Sequence, residues 1–85
     1  MTEEDTYRPI SCDFHDLLEA SATQGRTAKL EIRDADGSVR ALSARIDGID
    51  THADGEYATL DRGEAIRLDR IVSIDGERLA DYPAD

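Results

Sequence analysis

Residues that could bind a metal ion or act as nucleophiles are few in this chain of 85 residues. Cys12, His15 and His52 are its only thiol and imidazole side chains, and their spacing fits no zinc site. Cys12 with either histidine would supply a nucleophile and a base. However, Cys12 lies just before an amphipathic segment, where a small buried thiol is the commoner finding. The sequence therefore predicts neither a zinc site nor nucleophilic catalysis.

A second candidate metal site lies at Asp34, Asp36 and Gly37, which resemble the start of a calcium-binding loop. If Asp34 were the first ligand, Val39 would replace the glycine at the sixth position and Arg45 the closing glutamate. A solvated turn is the simpler interpretation. The remaining glycines are isolated and form no phosphate-binding loop. We therefore expect no cofactor, no metal ion and no enzymatic activity.

The charge of the chain points away from direct binding to nucleic acid. Twenty acidic and ten basic residues give a formal net charge of −10. Such a surface repels phosphate backbones and attracts basic partners, including proteins whose own sites bind nucleic acid. An organism with generally acidic proteins would show the same balance, and the single lysine, Lys29, fits that alternative. The charge alone therefore identifies no function.

A helix is predicted over residues 13–24, which contain no proline or glycine. Ser11 or Asp13 is suited to cap its first amides, and Gly25 to end it. At about 3.6 residues per turn, the apolar side chains of this segment and one serine fall on one side. These residues are Phe14, Leu17, Leu18 and Ser21.

The opposite side of this predicted helix is acidic. Asp16 and Glu19 are three residues apart and are therefore neighbours on one face. Asp13 flanks them at the start of the helix, and His15 lies one step round. A charged helix face is ordinarily only a solvated face, so this pattern by itself indicates no partner.

After Gly25 the apolar pattern changes to a period of about two, which is typical of half-buried strands. A slip of this pattern between Ile46 and Ile49, across Gly48, predicts a bulge or a sharp bend. Five short strands are predicted, near residues 28–32, 42–46, 57–60, 66–68 and 71–74. The predicted core consists of Phe14, Leu18, Leu30, Ile32, Leu42, Ile46, Leu60, Ile66, Leu68 and Ile71.

These elements predict one mostly β domain over residues 1–85, with an N-terminal helix and a strongly bent five-stranded antiparallel sheet or small open barrel. Residues 50–56 are expected to form a polar loop. The ordered part is expected to be about residues 7–76, with flexible termini. We expect no signal peptide, because the start is acidic, and no membrane span of about 20 apolar residues, so the expected location is the cytoplasm.

In a first segment, from Tyr7 to Glu19, the pattern Tyr-x-Pro-Ile-x-Cys is followed by Asp-x-Leu-Glu, and a second segment covers Arg67 to Ile71. These two segments resemble the Rho-binding antiterminator family (Rof, also called YaeO). The second segment, Arg67-Leu-Asp-Arg-Ile71, is similar to that family's Arg-Leu-Asp-Lys-Ile run. The resemblance covers roughly residues 5–76. The residues of the first segment that fill the family's pattern are Tyr7, Pro9, Ile10, Cys12, Asp16, Leu18 and Glu19.

The resemblance implies an Sm-like fold and binding to the N-terminal region of the hexameric termination factor Rho. That region holds a basic primary site for single-stranded, pyrimidine-rich RNA. An acidic protein bound there blocks RNA and so reduces termination. The chain itself is expected to be monomeric when free and to bind neither nucleic acid nor membrane.

The resemblance also implies contact residues for Rho. Asp16 and Glu19 are the main candidates, with His15 where the family more often has tyrosine and Asp13 as a neighbour. Asp54 belongs to a secondary contact region, residues 51–56, whose family counterpart is more basic. Two alternatives stay open: an Sm-like module that binds RNA, and an acidic interaction module with another protein partner.

Overall fold

The computed structural model describes residues 7–82, which form one helix followed by a six-stranded antiparallel sheet. Helix α1 spans Cys12–Gln24. Short 3₁₀ turns follow the fourth and sixth strands, at Leu68–Arg70 and Leu79–Asp81. The strands are β1 (Thr27–Arg33), β2 (Val39–His52), β3 (Gly55–Leu60), β4 (Ala65–Arg67), β5 (Ile71–Ile74) and β6 (Glu77–Arg78). Their spatial order is β4-β3-β2-β1-β5-β6, and the sheet does not close into a barrel.

The ends of α1 follow from its flanking residues. The Ser11 hydroxyl accepts a hydrogen bond from the Phe14 amide at 3.2 Å, which satisfies one of the amides left free at a helix start. Gly25 adopts the left-handed conformation with φ 64°, and its amide donates to the carbonyls of Ser21 and Ala22. The predicted helix, its cap and its terminating glycine are confirmed.

Strand β2 is long and organises the sheet. Its first half pairs with β1, from Val39 opposite Arg33 to Arg45 opposite Thr27. Its second half pairs with β3, and the register shifts between Ile46 and Gly48. The predicted bulge at this glycine is confirmed. Because the two halves of β2 pair with different partners, the sheet bends around one core.

The core lies between α1 and the inner face of the bent sheet. The alternation of β1 places Ala28, Leu30 and Ile32 inside, as predicted. Leu42 is the exception to the predicted core, because it is only partly buried at the margin of the sheet. Ala28, Ala44, Ala58 and Ile74 complete the core, in addition to the other predicted residues Phe14, Leu18, Leu30, Ile32, Ile46, Leu60, Ile66, Leu68 and Ile71.

The predicted loop over residues 50–56 is wrong. Strand β2 continues to His52 and β3 begins at Gly55, so only Ala53 and Asp54 form the turn. The segment is therefore an extended β-hairpin arm. Its polar composition reflects exposure to solvent and does not prevent pairing, because ladder hydrogen bonds involve the backbone.

The strand count and the expected loose tail after residue 76 also need correction. Asp75 and Gly76 both have positive φ, at 50° and 86°, as in the tight turns that suit β-hairpins. The chain therefore reverses into β6, which pairs with β5. Tyr82 then packs on the core, with its ring 5.7 Å from that of Phe14. The termini are also expected to be flexible, but residues 1–6 and 83–85 lie outside the residues that the structure describes.

Two smaller differences complete the comparison. Leu68 begins a 3₁₀ turn and is not part of β4, although it is fully buried as predicted. Cys12 is exposed at the first position of α1, so the expected small buried thiol is wrong. No helix within residues 7–82 has the length and apolar character needed to cross a membrane.

Candidate functional site

The first half of α1 presents three exposed carboxylates. Asp13, Asp16 and Glu19 are all exposed, whereas Phe14 and Leu18 of the same helix are fully buried. The burial of the two apolar residues fixes the rotation of the helix and so turns the acidic side outward. Asp13 also lies in the first turn, where a negative charge interacts favourably with the helix dipole.

The hairpin arm adds a fourth carboxylate, Glu56, to this surface. Ala58 and Leu60 of β3 are buried, and side chains two residues apart share one face of a strand. Glu56 therefore continues the core-facing row of β3 beyond the edge of the core. Its carboxylate accepts hydrogen bonds from Tyr7 Oη at 3.3 Å and Thr51 Oγ1 at 3.5 Å.

His15 lies between the helix and the hairpin arm. Its Nδ1 is 3.6 Å from Glu19 Oε1, and its Nε2 is 3.6 Å from Glu56 Oε2. The His15 side chain is half-buried, with 23% of its surface exposed. The imidazole thus faces one carboxylate on α1 and one on β3, and connects the two elements of the site.

Tyr7 supports the hairpin arm from the segment before the helix. Its ring lies directly on the backbone of Gly55, where an added Cβ would be 2.7 Å from Tyr7 Cγ. Gly55 also has a φ of 141°, which side chains rarely allow, so both the close contact and the backbone require glycine. Burial and the nearby Glu56 carboxylate raise the pKa of the Tyr7 hydroxyl.

The two segments that carry the family resemblance are in contact with each other. The Arg8 amide donates to Asp69 Oδ2 at 2.9 Å, and Arg67 Nε donates to Asp69 Oδ1 at 2.6 Å. The Arg67 guanidinium also lies over the Tyr7 ring, 6.0 Å from its centroid. Asp69 therefore anchors the segment before α1 to the 3₁₀ turn after β4.

Asp54 is not part of this cluster. It lies at the hairpin turn, where its carboxylate accepts a hydrogen bond from Tyr57 Oη at 2.9 Å. Tyr57 follows Glu56 in β3 and therefore lies on the opposite face of the hairpin. The His52 ring contacts Tyr57 edge-on, with 5.0 Å between centroids. Of the predicted contact residues, the structure brings together His15, Asp16 and Glu19, with Asp13 one turn away.

A concave surface next to Tyr57 differs in charge from the helix side. Asp34 and Glu64, both on this surface, form ion pairs with Arg40. The two carboxylates raise the pKa of the Arg40 guanidinium through their hydrogen bonds. We call this surface the arginine face; its charged residues are Arg33, Asp34, Arg40, Asp54, Glu64, Arg67 and Arg70.

We call the surface formed by Asp13, Asp16, Glu19 and Glu56 the acidic face. Within residues 7–82, Asp13 and Asp16 accept no side-chain hydrogen bond and form no ion pair, and Glu19 contacts only His15. Glu56 contacts the hydroxyls of Tyr7 and Thr51 and the His15 ring. No arginine or lysine therefore neutralises this face within the described part of the chain.

The same cluster contains the atoms that could hold a cation. One ligand atom each from His15, Asp16 and Glu19 lies within 4.8 Å of the others. Asp16 and Glu19 are exposed, and exposed carboxylates commonly lie this close together without a metal ion. Both nitrogens of His15 also face carboxylates already, so the arrangement favours ion pairing over coordination.

Glu56 is expected only as the last residue of the secondary contact region over residues 51–56, and the contact of Tyr7 with Gly55 is not expected at all. The signal for Glu56 is the alternation of β3: Leu60 and Ala58 are apolar, and the same row continues to Glu56. The contact of Tyr7 with Gly55 has no local signal, because it joins residues far apart in the chain. Asp54 is expected from the resemblance, as part of the secondary contact region over residues 51–56.

Comparison with known proteins adds no relative. No protein-family model matches the chain, and no curated protein matches it.

Proposed function

We propose that this protein binds the transcription termination factor Rho through its acidic face and inhibits Rho-dependent termination by keeping RNA off the primary site. In this proposal the protein is a cytoplasmic binding protein with no catalytic role. It belongs to the Rho-binding antiterminator family that Tyr7–Cys12, Asp16–Glu19 and Arg67–Ile71 resemble.

The observation that carries the proposal is the lack of neutralising cations around Asp16 and Glu19. Most other described carboxylates already have an arginine, hydroxyl or amide partner, as Asp34 and Asp69 do. An exposed carboxylate without a cation is available to an arginine or lysine of a partner, and such charge-assisted pairs are strong when the interface excludes water. A site that binds single-stranded RNA supplies those cations.

The contact between the two segments that resemble the family supports the same proposal. Tyr7, Arg67 and Asp69 interact directly, so the residues that carry the resemblance form one connected unit. Part of the signature is therefore accounted for by folding, because these residues attach the start of α1 to the sheet. Asp16 and Glu19 have no such structural partner among the arginines of residues 7–82, which favours a role in binding.

Co-elution with the Rho hexamer tests this proposal. The chain is mixed with Rho and separated by size, with and without a single-stranded, cytosine-rich RNA as competitor. We expect co-elution in the absence of RNA and its loss as RNA is added. Failure to co-elute would contradict the proposal, and so would a ternary complex in which RNA stays bound at full affinity.

The same purified proteins and RNA also distinguish the two alternative functions. A gel shift with RNA and the chain alone is expected to show no complex, because the net charge of −10 repels phosphate. A shift at comparable affinity would support an Sm-like RNA-binding module. An intact, folded chain that binds neither Rho nor RNA would support an interaction module with a different partner.

A further inference from the structure

The position of His15 has a consequence for the control of the acidic face. Its two ring nitrogens face Glu19 on α1 and Glu56 on β3, each at 3.6 Å. Both distances are in the ion-pair range and are longer than a neutral hydrogen bond. A neutral imidazole therefore gains little from these neighbours, whereas an imidazolium would be paired on both sides.

The charged groups around His15 are of one sign. On its own helix these are Asp16 and Glu19, and on β3 the group is Glu56. From the segment before α1, the Tyr7 hydroxyl reaches the same Glu56 carboxylate. No lysine or arginine of residues 7–82 contacts His15, so the carboxylates have no competing cation at this position.

Histidine is the side chain whose charge ordinarily changes between about pH 5 and 8. We propose that protonation of His15 fastens α1 to the hairpin arm and masks Glu19 and Glu56, so that a basic partner is bound less tightly at about pH 6 than at about pH 8. As far as Rho is that partner, this inference rests on the function proposed above.

A tyrosine at position 15 would not change charge in this pH range, so His15→Tyr keeps an aromatic ring without the ionisation. The chain contains one other histidine, His52, which lies on the opposite side of the hairpin arm against Tyr57. His52 is therefore a matched control for every measurement on His15.

The first arm of the test uses the free protein. The carboxyl carbon of Glu56 is followed by NMR between about pH 6 and 8 in His52→Gln, so that His15 is the only histidine in the chain. We expect its signal to move with pH, and to stay constant when His15→Gln is added. A constant signal in His52→Gln alone would overturn the inference, whatever the partner.

The second arm measures Rho affinity at about pH 6 and 8 for the wild type, His15→Gln, His15→Tyr and His52→Gln. The wild type and His52→Gln should lose about three-fold more affinity at the lower pH than the two His15 variants, the order expected for two partly exposed ion pairs. Equal losses in all four would overturn the inference. Binding at neither pH would contradict the proposed function instead. The NMR measurement would still decide whether protonated His15 connects α1 to the hairpin arm.

Discussion

The acidic face and the arginine face lie on opposite sides of one hairpin arm and use their carboxylates differently. On the arginine face, Asp34 and Glu64 are held by Arg40. On the acidic face, Asp16 contacts no cation within residues 7–82, and Glu19 contacts only an imidazole. The two surfaces therefore differ less in the number of acids than in whether those acids are already paired.

This difference explains why a net charge of −10 is uninformative by itself. Many of the carboxylates already form hydrogen bonds or ion pairs within the molecule. Asp75 is an example: its Oδ1 accepts a hydrogen bond from the Lys29 amide at 2.9 Å, and its Oδ2 forms an ion pair with Arg26. Only carboxylates that remain unpaired attract a partner without first losing an internal contact. Local neutralisation thus distinguishes a binding surface from general acidity.

The largest expected effect concerns the core that supports both faces. Leu68 is fully buried, and Leu68→Ala should reduce the free energy of unfolding by about 2–5 kcal/mol through lost burial and a residual cavity. Thermal or denaturant unfolding measures this change. Val39→Ala is the control, because Val39 is 48% exposed and its truncation should change stability by about 0.5 kcal/mol or less. Equal stability of both variants would refute the core assignment.

The next effect concerns the contact that fixes the hairpin arm beside the helix. Gly55→Ala should destabilise the protein by about 1–3 kcal/mol, because it combines an unfavourable φ with a clash against Tyr7. Gly48→Ala is matched to it, since a Cβ at Gly48 meets open space. Unfolding curves of the two variants give the comparison, and a Gly55 variant as stable as the Gly48 variant would show that Tyr7 does not hold the arm in this way.

An effect of about ten-fold is expected from salt. If the acidic face binds a basic groove, Rho affinity should fall by roughly this factor between about 0.05 and 0.3 M salt, across the range in which the Debye length shortens through about 10 Å. Titrations of Rho at several salt concentrations measure it. The double variant Asp16→Asn, Glu19→Asn should show a shallower dependence, and affinity independent of salt would mean that apolar contacts dominate.

The smallest effect tests the arginine face. Arg40→Gln leaves Asp34 and Glu64 without their shared cation, and because these side chains are partly exposed the expected loss of stability is small. Rho affinity should stay within about two-fold of the wild type. A clear gain in affinity would show that any unpaired acid attracts Rho, and that the position of the acidic face is unimportant.

The parts of the fold that follow from local pattern were predicted from the sequence. Ser11, Gly25 and the alternation of β1 define the helix and the first strand through local rules, and Gly48 marks the register shift. The predicted ordered part ends at about residue 76, although the Asp75-Gly76 dipeptide is a strong hairpin signal that leads into β6.

The candidate site could be predicted only in part. Helical periodicity places Asp16 and Glu19 on one exposed side, so the helix half follows from the sequence. The contribution of Glu56 depends on how far the β2–β3 ladder extends. The residues of the arm are polar and show no apolar alternation, so the sequence does not indicate that they pair as strands. The resemblance implies Asp54 as part of the contact region over residues 51–56, but the turn directs it to Tyr57 on the other side of the hairpin.

The control variants remove acids that either have a partner within the molecule or lie on the other face of the hairpin. Asp36 accepts hydrogen bonds from the Ser38 hydroxyl and amide, which lower the pKa of its carboxyl group. Its carboxylate therefore already has hydrogen-bond partners within its own turn. Asp34 forms an ion pair with Arg40. Asp50 is exposed and pairs in register with Tyr57, so it lies on the other face of the hairpin from Glu56.

The most direct measurement compares the Rho affinity of Asp16→Ala and Glu19→Ala with that of Asp34→Ala, Asp36→Ala and Asp50→Ala, with circular dichroism showing that each variant is folded. Each variant removes one negative charge. The two helix variants should bind about ten-fold or more weakly, at about 1.4 kcal/mol per ten-fold, because each leaves a cation of Rho unpaired. The other three should stay within about two-fold. Equal losses in all five variants, or no loss in any, would contradict the account.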